Sequence, residues 1–273
     1  MASKEVSPGL WLIGIGPGDL GHMTERAKSI ARGCSKRYLE GYTAVLPSDQ
    51  EGLLEEVVGA WERLMRPSVE SPESLLDEAR EESVALLVVG DPMQATTHID
   101  LEARCMEEGV SFEVIPGMSA TSLAVSLSGL QSYKFGRQVT LPYPYGDYLA
   151  TSPLEMIESN RSSGLHTLVL LDLDPTGMGF DLPTPMSPEQ AVSILEGMSE
   201  KTREEGLISE ERILAVRDWM GILLSDVGTS RQRVLSGSLN DVSQTEGGYV
   251  HTLIIPSNMS DNEKDAFRRR NKS

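Results

Sequence analysis

The sequence predicts an α/β protein of two domains, and three observations carry that expectation. The chain has 273 residues, more than a single hydrophobic core usually organises and enough for two units of ordinary size. Its hydrophobic residues, 39% of the total, are concentrated in short blocks such as Val84–Val89 that can build a core. These blocks alternate with segments of helical periodicity, the pattern of a mainly parallel sheet covered by helices.

Taken in order, Leu10–Ile15 is an apolar run that reads as a buried strand ending in the loop Gly16-Pro17-Gly18-Asp19. Thr24 then caps a helix in which Ala27, Ile30 and Ala31 recur at helical spacing. Lys36–Glu40 reads as a second strand leading to a loop at Tyr42. Gly52 to Met65 predicts one helix, with Leu53, Leu54, Val57, Val58, Trp61 and Leu64 on a single face, and Ser74 to Glu82 predicts another, capped by its serine. Val84–Val89 is the least ambiguous strand and ends at Gly90-Asp91-Pro92. Thr97 to Gly109 reads as a helix closed by its glycine, and Ser111–Ile115 as a strand running into Pro116-Gly117-Met118-Ser119. Ligands of such sheets sit beyond the carboxyl ends of the strands, and all these loops except the one at Tyr42 lie at such ends.

A break near Gly129 to Gly136 precedes a second unit. Its strands are Val139–Leu141, Leu168–Asp172, Ile213–Val216 and Thr252–Ile255, with a long loop from Asp174 to Pro188 and a helix from Pro188 to Met198. The expected division is therefore an amino-terminal α/β domain over 1–133, a carboxy-terminal α/β domain over 134–260 and a polar tail over 261–273, frayed or disordered.

Acidic residues outnumber basic ones by 41 to 24, a formal charge of −17 that repels phosphate backbones and argues against nucleic acid as a partner. The same charge serves equally as a solvated surface or as a field that steers a basic partner. Cys34 and Cys105 are far apart, without spacing for zinc or a disulfide framework, so no metal is expected. No apolar run is long enough to span a membrane and no signal segment stands at the start, which predicts a cytoplasmic protein.

Individual motifs leave alternatives open. Gly16-Pro17-Gly18-Asp19 departs from the dinucleotide fingerprint and could be a tight turn alone. Asp91, following a fully apolar strand, suits either a turn cap or a partner for ribose hydroxyls. His98 and His166 read as structural, while His251, just before the last strand, reads equally as structural or as facing a ligand. No arrangement for nucleophilic or acid–base catalysis stands out, so the catalytic residues are unassigned; that absence suits transfer of an already activated methyl group, which mainly requires alignment. In that case Tyr42, Tyr133 or Trp219 could meet a methylated ammonium by cation–π contact, or simply be core.

Together these segments resemble the tetrapyrrole-methylase-like superfamily, and within it the diphthine synthases. The superfamily features are the opening strand with its Gly16-Pro17-Gly18-Asp19 loop, the Gly90-Asp91-Pro92 loop and the Pro116-Gly117-Met118-Ser119 turn. The sharper ones are Tyr38-Leu39-Glu40-Gly41-Tyr42-Thr43, Gly90 to His98, Tyr133-Lys134-Phe135-Gly136, and Leu165-His166-Thr167-Leu168 leading to Leu171-Asp172-Leu173, and the match runs from Leu10 to Pro256. The resemblance implies two α/β domains with S-adenosyl-L-methionine in the cleft between them, in a homodimer. It also implies repeated methylation of the amino group on a modified histidine of translation elongation factor 2, forming diphthine. By position, the cofactor contacts would be Pro17, Asp91, Gln94, Ser119, Ala120, Leu171, Val216 and His251. The competing expectations are methylation of a tetrapyrrole, a cobalamin or sirohaem precursor, and a non-catalytic nucleotide-sensing or scaffold role on the same fold.

Overall fold

A computed structural model of the chain describes residues 6–204 and 215–271. The chain divides into two compact units. The first takes residues up to Ala120 together with Met178–Pro183 and Gly228–Ser230, and the second takes the remainder.

In the first unit, β1 (Gly9–Gly14) is central, with β4 (Ser83–Val88) on one side and β5 (Phe112–Ile115) on the other. β2 (Lys36–Glu40) and β3 (Glu62–Leu64) extend the sheet beyond β4, and every pairing is parallel. Helices on both faces explain why all six residues of β4 are buried and why the strand carries no polar face. On one side Ile13, Leu39, Ala85 and Leu87 pack with α1 (Glu25–Gly33) and α2 (Ser48–Val58). On the other Leu10, Leu12, Val84 and Leu86 pack with α3 (Arg66–Glu70), α4 (Glu73–Glu81) and α5 (Ile99–Glu108). Thr24 caps α1 as its sequence suggests, its hydroxyl accepting from the Ala27 N–H at 3.1 Å.

Two expectations change here. The segment 52–65 is not one helix: α2 stops at Gly59, whose φ of +96° ends the helical path, and Glu62–Leu64 goes on to pair with β2 as an edge strand. Ser74 is not a cap, because α4 begins one residue earlier, behind Pro72.

The second unit holds β6 (Val139–Leu141), β7 (Thr167–Leu171), β8 (Met220–Ser225), β9 (Arg233–Ser238) and β10 (His251–Ile255) in the order β6-β7-β10-β8-β9. Only β6 and β7 are parallel, and the other pairs are antiparallel, so the mainly parallel expectation holds for the first sheet and fails for this one. Its helices are α6 (Ala120–Ser128), α7 (Ser152–Ser162), α8 (Pro188–Glu204), α9 (Leu239–Ser243) and α10 (Asp261–Arg269).

The boundary falls at Ala120 rather than after 133, because Ala124, Val125 and Leu127 of α6 pack with Leu168, Ile222 and Ile254. Of the strand expected at 213–216, Ile213 and Leu214 lie outside the described residues. Val216 belongs to a short 3-10 turn, and the strand is the next apolar run, Met220–Ser225. The tail contains a helix. Glu263 caps the start of α10 by accepting from the Ser260 N–H at 2.7 Å, and Glu263, Ala266 and Phe267, spaced three and one apart, make its buried face. A charged residue inside that face is what made the segment look uniformly polar.

Candidate functional site

The carboxyl ends of β1, β4 and β5 form one rim of the first unit. The ladder continues past the strand ends: the Ile15 N–H donates to the Val88 carbonyl at 2.9 Å, and Gly16 and Gly90 exchange backbone hydrogen bonds at 3.1 and 3.0 Å. Gly90 then turns the chain at φ +87°, which places Asp91 beside the β5 loop. One oxygen of the Asp91 carboxylate accepts from the Met93 N–H at 3.0 Å and the other from the Gly117 N–H at 3.1 Å. Asp91 thus ties two loops together. Pro17, Asp91, Gln94, Ser119 and Ala120, five of the eight expected contacts, share this rim. Pro17 and Ser119 are buried, Asp91 is half-buried, and Gln94 and Ala120 are exposed.

This geometry alters what Asp91→Ala should do. A loop residue that only met a ligand would cost little stability when removed. Here two backbone N–H groups lose a charged acceptor, so the folded state is expected to lose about 1–3 kcal/mol, read from the shift in denaturant midpoint. An unchanged midpoint would show that the tie carries no weight.

In the second unit, Leu171 ends β7 and His251 begins β10, and the pairing of Thr252 with Leu170 sets them side by side at one end of the sheet. Ser225, the last residue of β8, lies opposite His251, and its hydroxyl is 2.8 Å from the ring Nδ1. Burial holds the His251 pKa below the ordinary histidine value, with nearby Asp226 pulling the other way. Asp226 itself has φ +49°, and its carboxylate accepts from the N–H groups of Tyr249 and Val250 at 2.9 and 3.0 Å, fixing the turn that leads into β10. Val216 is not brought to this end. It precedes β8 at the far end of the strand and packs in the core with Trp219.

Ser225 therefore stands where Val216 was expected. Its signal was present in the sequence: Met220–Leu224 is an apolar run that breaks into Ser225-Asp226-Val227-Gly228, much as Val84–Val89 breaks into Gly90-Asp91. Asp172 is a further structural group, hidden in the sequence at the end of an apolar run. At the end of β7 it accepts from the N–H groups of Tyr143, Leu173 and Asp174 at 3.1, 2.7 and 3.1 Å.

His166 is structural, as expected. It is fully buried, its Nδ1 accepts from the Ser257 N–H at 2.9 Å, and its Nε2 lies 3.1 Å from Glu263. Trp219 is core, with the Arg161 guanidinium 4.3 Å from its ring centre, while Tyr133 is exposed. Among the described residues no cluster of His, Cys, Asp or Glu could hold a metal ion, and both cysteines are free and buried. No described helix is long and apolar enough to cross a membrane.

The chain belongs to the tetrapyrrole (corrin/porphyrin) methylases, whose family description matches residues 9–243. Within that class it falls among the diphthine synthases. It is 32% identical over 263 residues to the diphthine synthase of Methanoregula boonei, covering 95% of this chain and 98% of that one. It is 34% identical over 264 residues to the diphthine methyl ester synthase of Homo sapiens, covering 90% and 89%. A solved crystal structure of diphthine synthase superposes with a TM-score of 0.81 at 26% identity, over 96% of this chain and 95% of the other. The fold is that of a methyltransferase, and the relatives share nearly the full length of the chain.

Proposed function

We propose that this protein uses S-adenosyl-L-methionine to methylate, repeatedly, the amino group of the modified histidine of translation elongation factor 2, forming diphthine. The observation that carries the proposal is the end-to-end likeness to archaeal diphthine synthases and eukaryotic diphthine methyl ester synthases. A homodimer in the cytoplasm is part of the same reading.

The bound cofactor supplies a methyl group already activated by its sulfonium. The residues at the rim of the first unit suit such a molecule. Each Asp91 oxygen uses one lone pair on a backbone N–H and has another left for ribose hydroxyls. Ser119 directly precedes α6, whose amino terminus favours a carboxylate. Pro17, Gln94 and Ala120 shape the same rim. In the second unit we assign Leu171 and His251, together with Ser225 in place of Val216. Burial disfavours the charged form of His251, and its Nδ1 is 2.8 Å from the Ser225 hydroxyl, which suits a hydrogen-bonding neighbour for the cofactor.

A ligand that binds only the folded chain raises its melting temperature by mass action, by about 2.7 kcal/mol of stability at a hundredfold excess over Kd. S-adenosyl-L-methionine and its demethylated product are therefore both expected to shift Tm upward. No shift at saturation would exclude a methyltransferase site. The substrate is tested by incubating the protein with methyl-labelled cofactor and elongation factor 2 bearing the aminocarboxypropyl-histidine precursor, then counting methyl groups at that residue by mass. A product with no added methyl would overturn the reading.

A further inference from the structure

A cavity of about 320 Å³ lies wholly within the first unit, beside the end of β2 and between α3 and α5. Its walls include Tyr42, Glu70, Thr97, His98, Asp100 and Arg104. This is the size of small-ligand pockets, and the polar groups lining it do not satisfy one another.

His98 is 1% exposed, and its Nδ1 lies 2.7 Å from the Pro92 carbonyl. A carbonyl only accepts, so Nδ1 carries the proton and the neutral ring turns the bare lone pair of Nε2 elsewhere. That nitrogen is buried and has no hydrogen-bond partner. Burial also holds the ring's pKa below the ordinary value, which keeps it neutral. The Tyr42 hydroxyl is buried too. It senses the nearby Glu40 carboxyl, yet makes no well-formed hydrogen bond. The Nε of Arg104 is a third buried group without a partner, although the far end of its guanidinium pairs with Glu73 at 2.8 Å. An acceptor, a hydroxyl and a cationic donor therefore line one small space, with the half-exposed Glu70 adding negative charge.

Buried polar groups without partners are costly, so an occupant that completes them would be favoured here. The occupant must donate to His98, donate or accept at Tyr42 and present an anion to Arg104. A primary amine on a carbon that also bears a carboxylate does all three.

We propose that this cavity is the acceptor subsite, receiving the amino-acid-like end of the modified histidine with its amine on His98 Nε2 and its carboxylate on Arg104. This rests on the functional reading above. In it His98 also has a chemical role: an N–H bond of the ammonium breaks, the electron pair stays on nitrogen as the lone pair needed for methylation, and the proton passes to His98 Nε2 and then to solvent. The charged and titratable groups facing His98 are Glu70 from α3, Asp100 and Arg104 from α5, and Tyr42 backed by Glu40 after β2.

The test measures binding of precursor-bearing elongation factor 2 to the cofactor-free protein, with the unmodified factor as control. Tyr42→Phe and His98→Ala are each expected to weaken binding of the precursor form about tenfold, the loss of one hydrogen bond to a charged group, while cofactor affinity by calorimetry stays within about twofold. His98→Gln keeps an acceptor but takes up no proton. It is expected to retain most binding, to lose most turnover near neutral pH, and to regain turnover as pH rises and the amine deprotonates unaided. Tyr42→Phe removes one oxygen, so it reports even if the His98 variants misfold. Wild-type binding of the precursor form by folded Tyr42→Phe and His98→Ala, or a wild-type pH profile in His98→Gln, would overturn the proposal and leave the cavity to water. A wild-type protein that methylates no precursor would instead overturn the functional reading, and the subsite with it.

Discussion

Gly117→Ala is expected to destabilise the first unit by about 3–5 kcal/mol, among the largest effects open to a single added methyl group. The reason is close approach of backbone to backbone. A Cβ at Gly117 would collide with the Gly90 carbonyl and lie 2.9 Å from both the Cα and the carbonyl carbon of Gly14. None of these atoms belongs to a flexible side chain, and all three glycines sit where β1, β4 and β5 end. Relief would require parting the strand ends, which would also stretch the bond from the Gly117 N–H to Asp91. Denaturant unfolding of the variant measures the cost, and a loss under about 1 kcal/mol would mean that the loops yield easily. Cofactor affinity should fall in the fraction that remains folded, since the same loops carry Asp91 and Ser119.

Glu263→Gln is expected to cost about 3 kcal/mol or more, because a buried ion pair is broken while its partners stay in place. Glu263 is 1% exposed and accepts from Lys134 Nζ at 2.6 Å, from the N–H groups of Gln131 and Ser260 at 2.9 and 2.7 Å, and from His166 at 3.1 Å. Burial alone would push its pKa up. Lys134, the two backbone donors and His166 outweigh that and hold it far below the ordinary carboxylate value. With the folded pKa depressed, the stabilisation is fully present above the unfolded value of about 4.3 and is lost as pH falls from there toward the folded pKa. Wild-type stability should therefore drop between about pH 5 and pH 2, and the variant's should drop less over the same range. Parallel acid limbs for the two proteins would show that Glu263 is not the group responsible.

Much of the first unit was legible in the sequence because its information is local. Leu10–Ile15, Val84–Val89 and Ser111–Ile115 are apolar runs ended by glycine or proline, and each became a strand of the parallel sheet within a residue or two. The Asp91 loop was legible for the same reason. What stayed hidden depends on partners distant in the chain. Glu62-Arg63-Leu64 continues a helical pattern and becomes a strand only through β2. Val216 and Ser225 are both near apolar runs, and only the register of β8 against β10 separates a core residue from one beside His251. Glu263 looks like surface until Lys134, nearly half a chain away, is placed next to it. The lone pair on His98 needed the Pro92 carbonyl to reveal it.

The central position of β1 bears on how the protein is made. β1 is synthesised before both its neighbours, β4 and β5, which end at Val88 and Ile115, and β2, which follows β1 in the chain, pairs with β4 and not with β1. At about 5–20 residues per second, the hundred or so residues that separate β1 from the end of β5 take on the order of 5–20 s to appear. Until β4 is complete, roughly three-quarters of the way through that interval, Leu10, Leu12 and Ile13, all fully buried in the finished fold, have no neighbouring strand to pair with. The nascent chain thus carries an orphan hydrophobic strand for most of the first unit's translation, which makes that strand a natural site for chaperone engagement and makes the unit's yield sensitive to translation speed across residues 36–115.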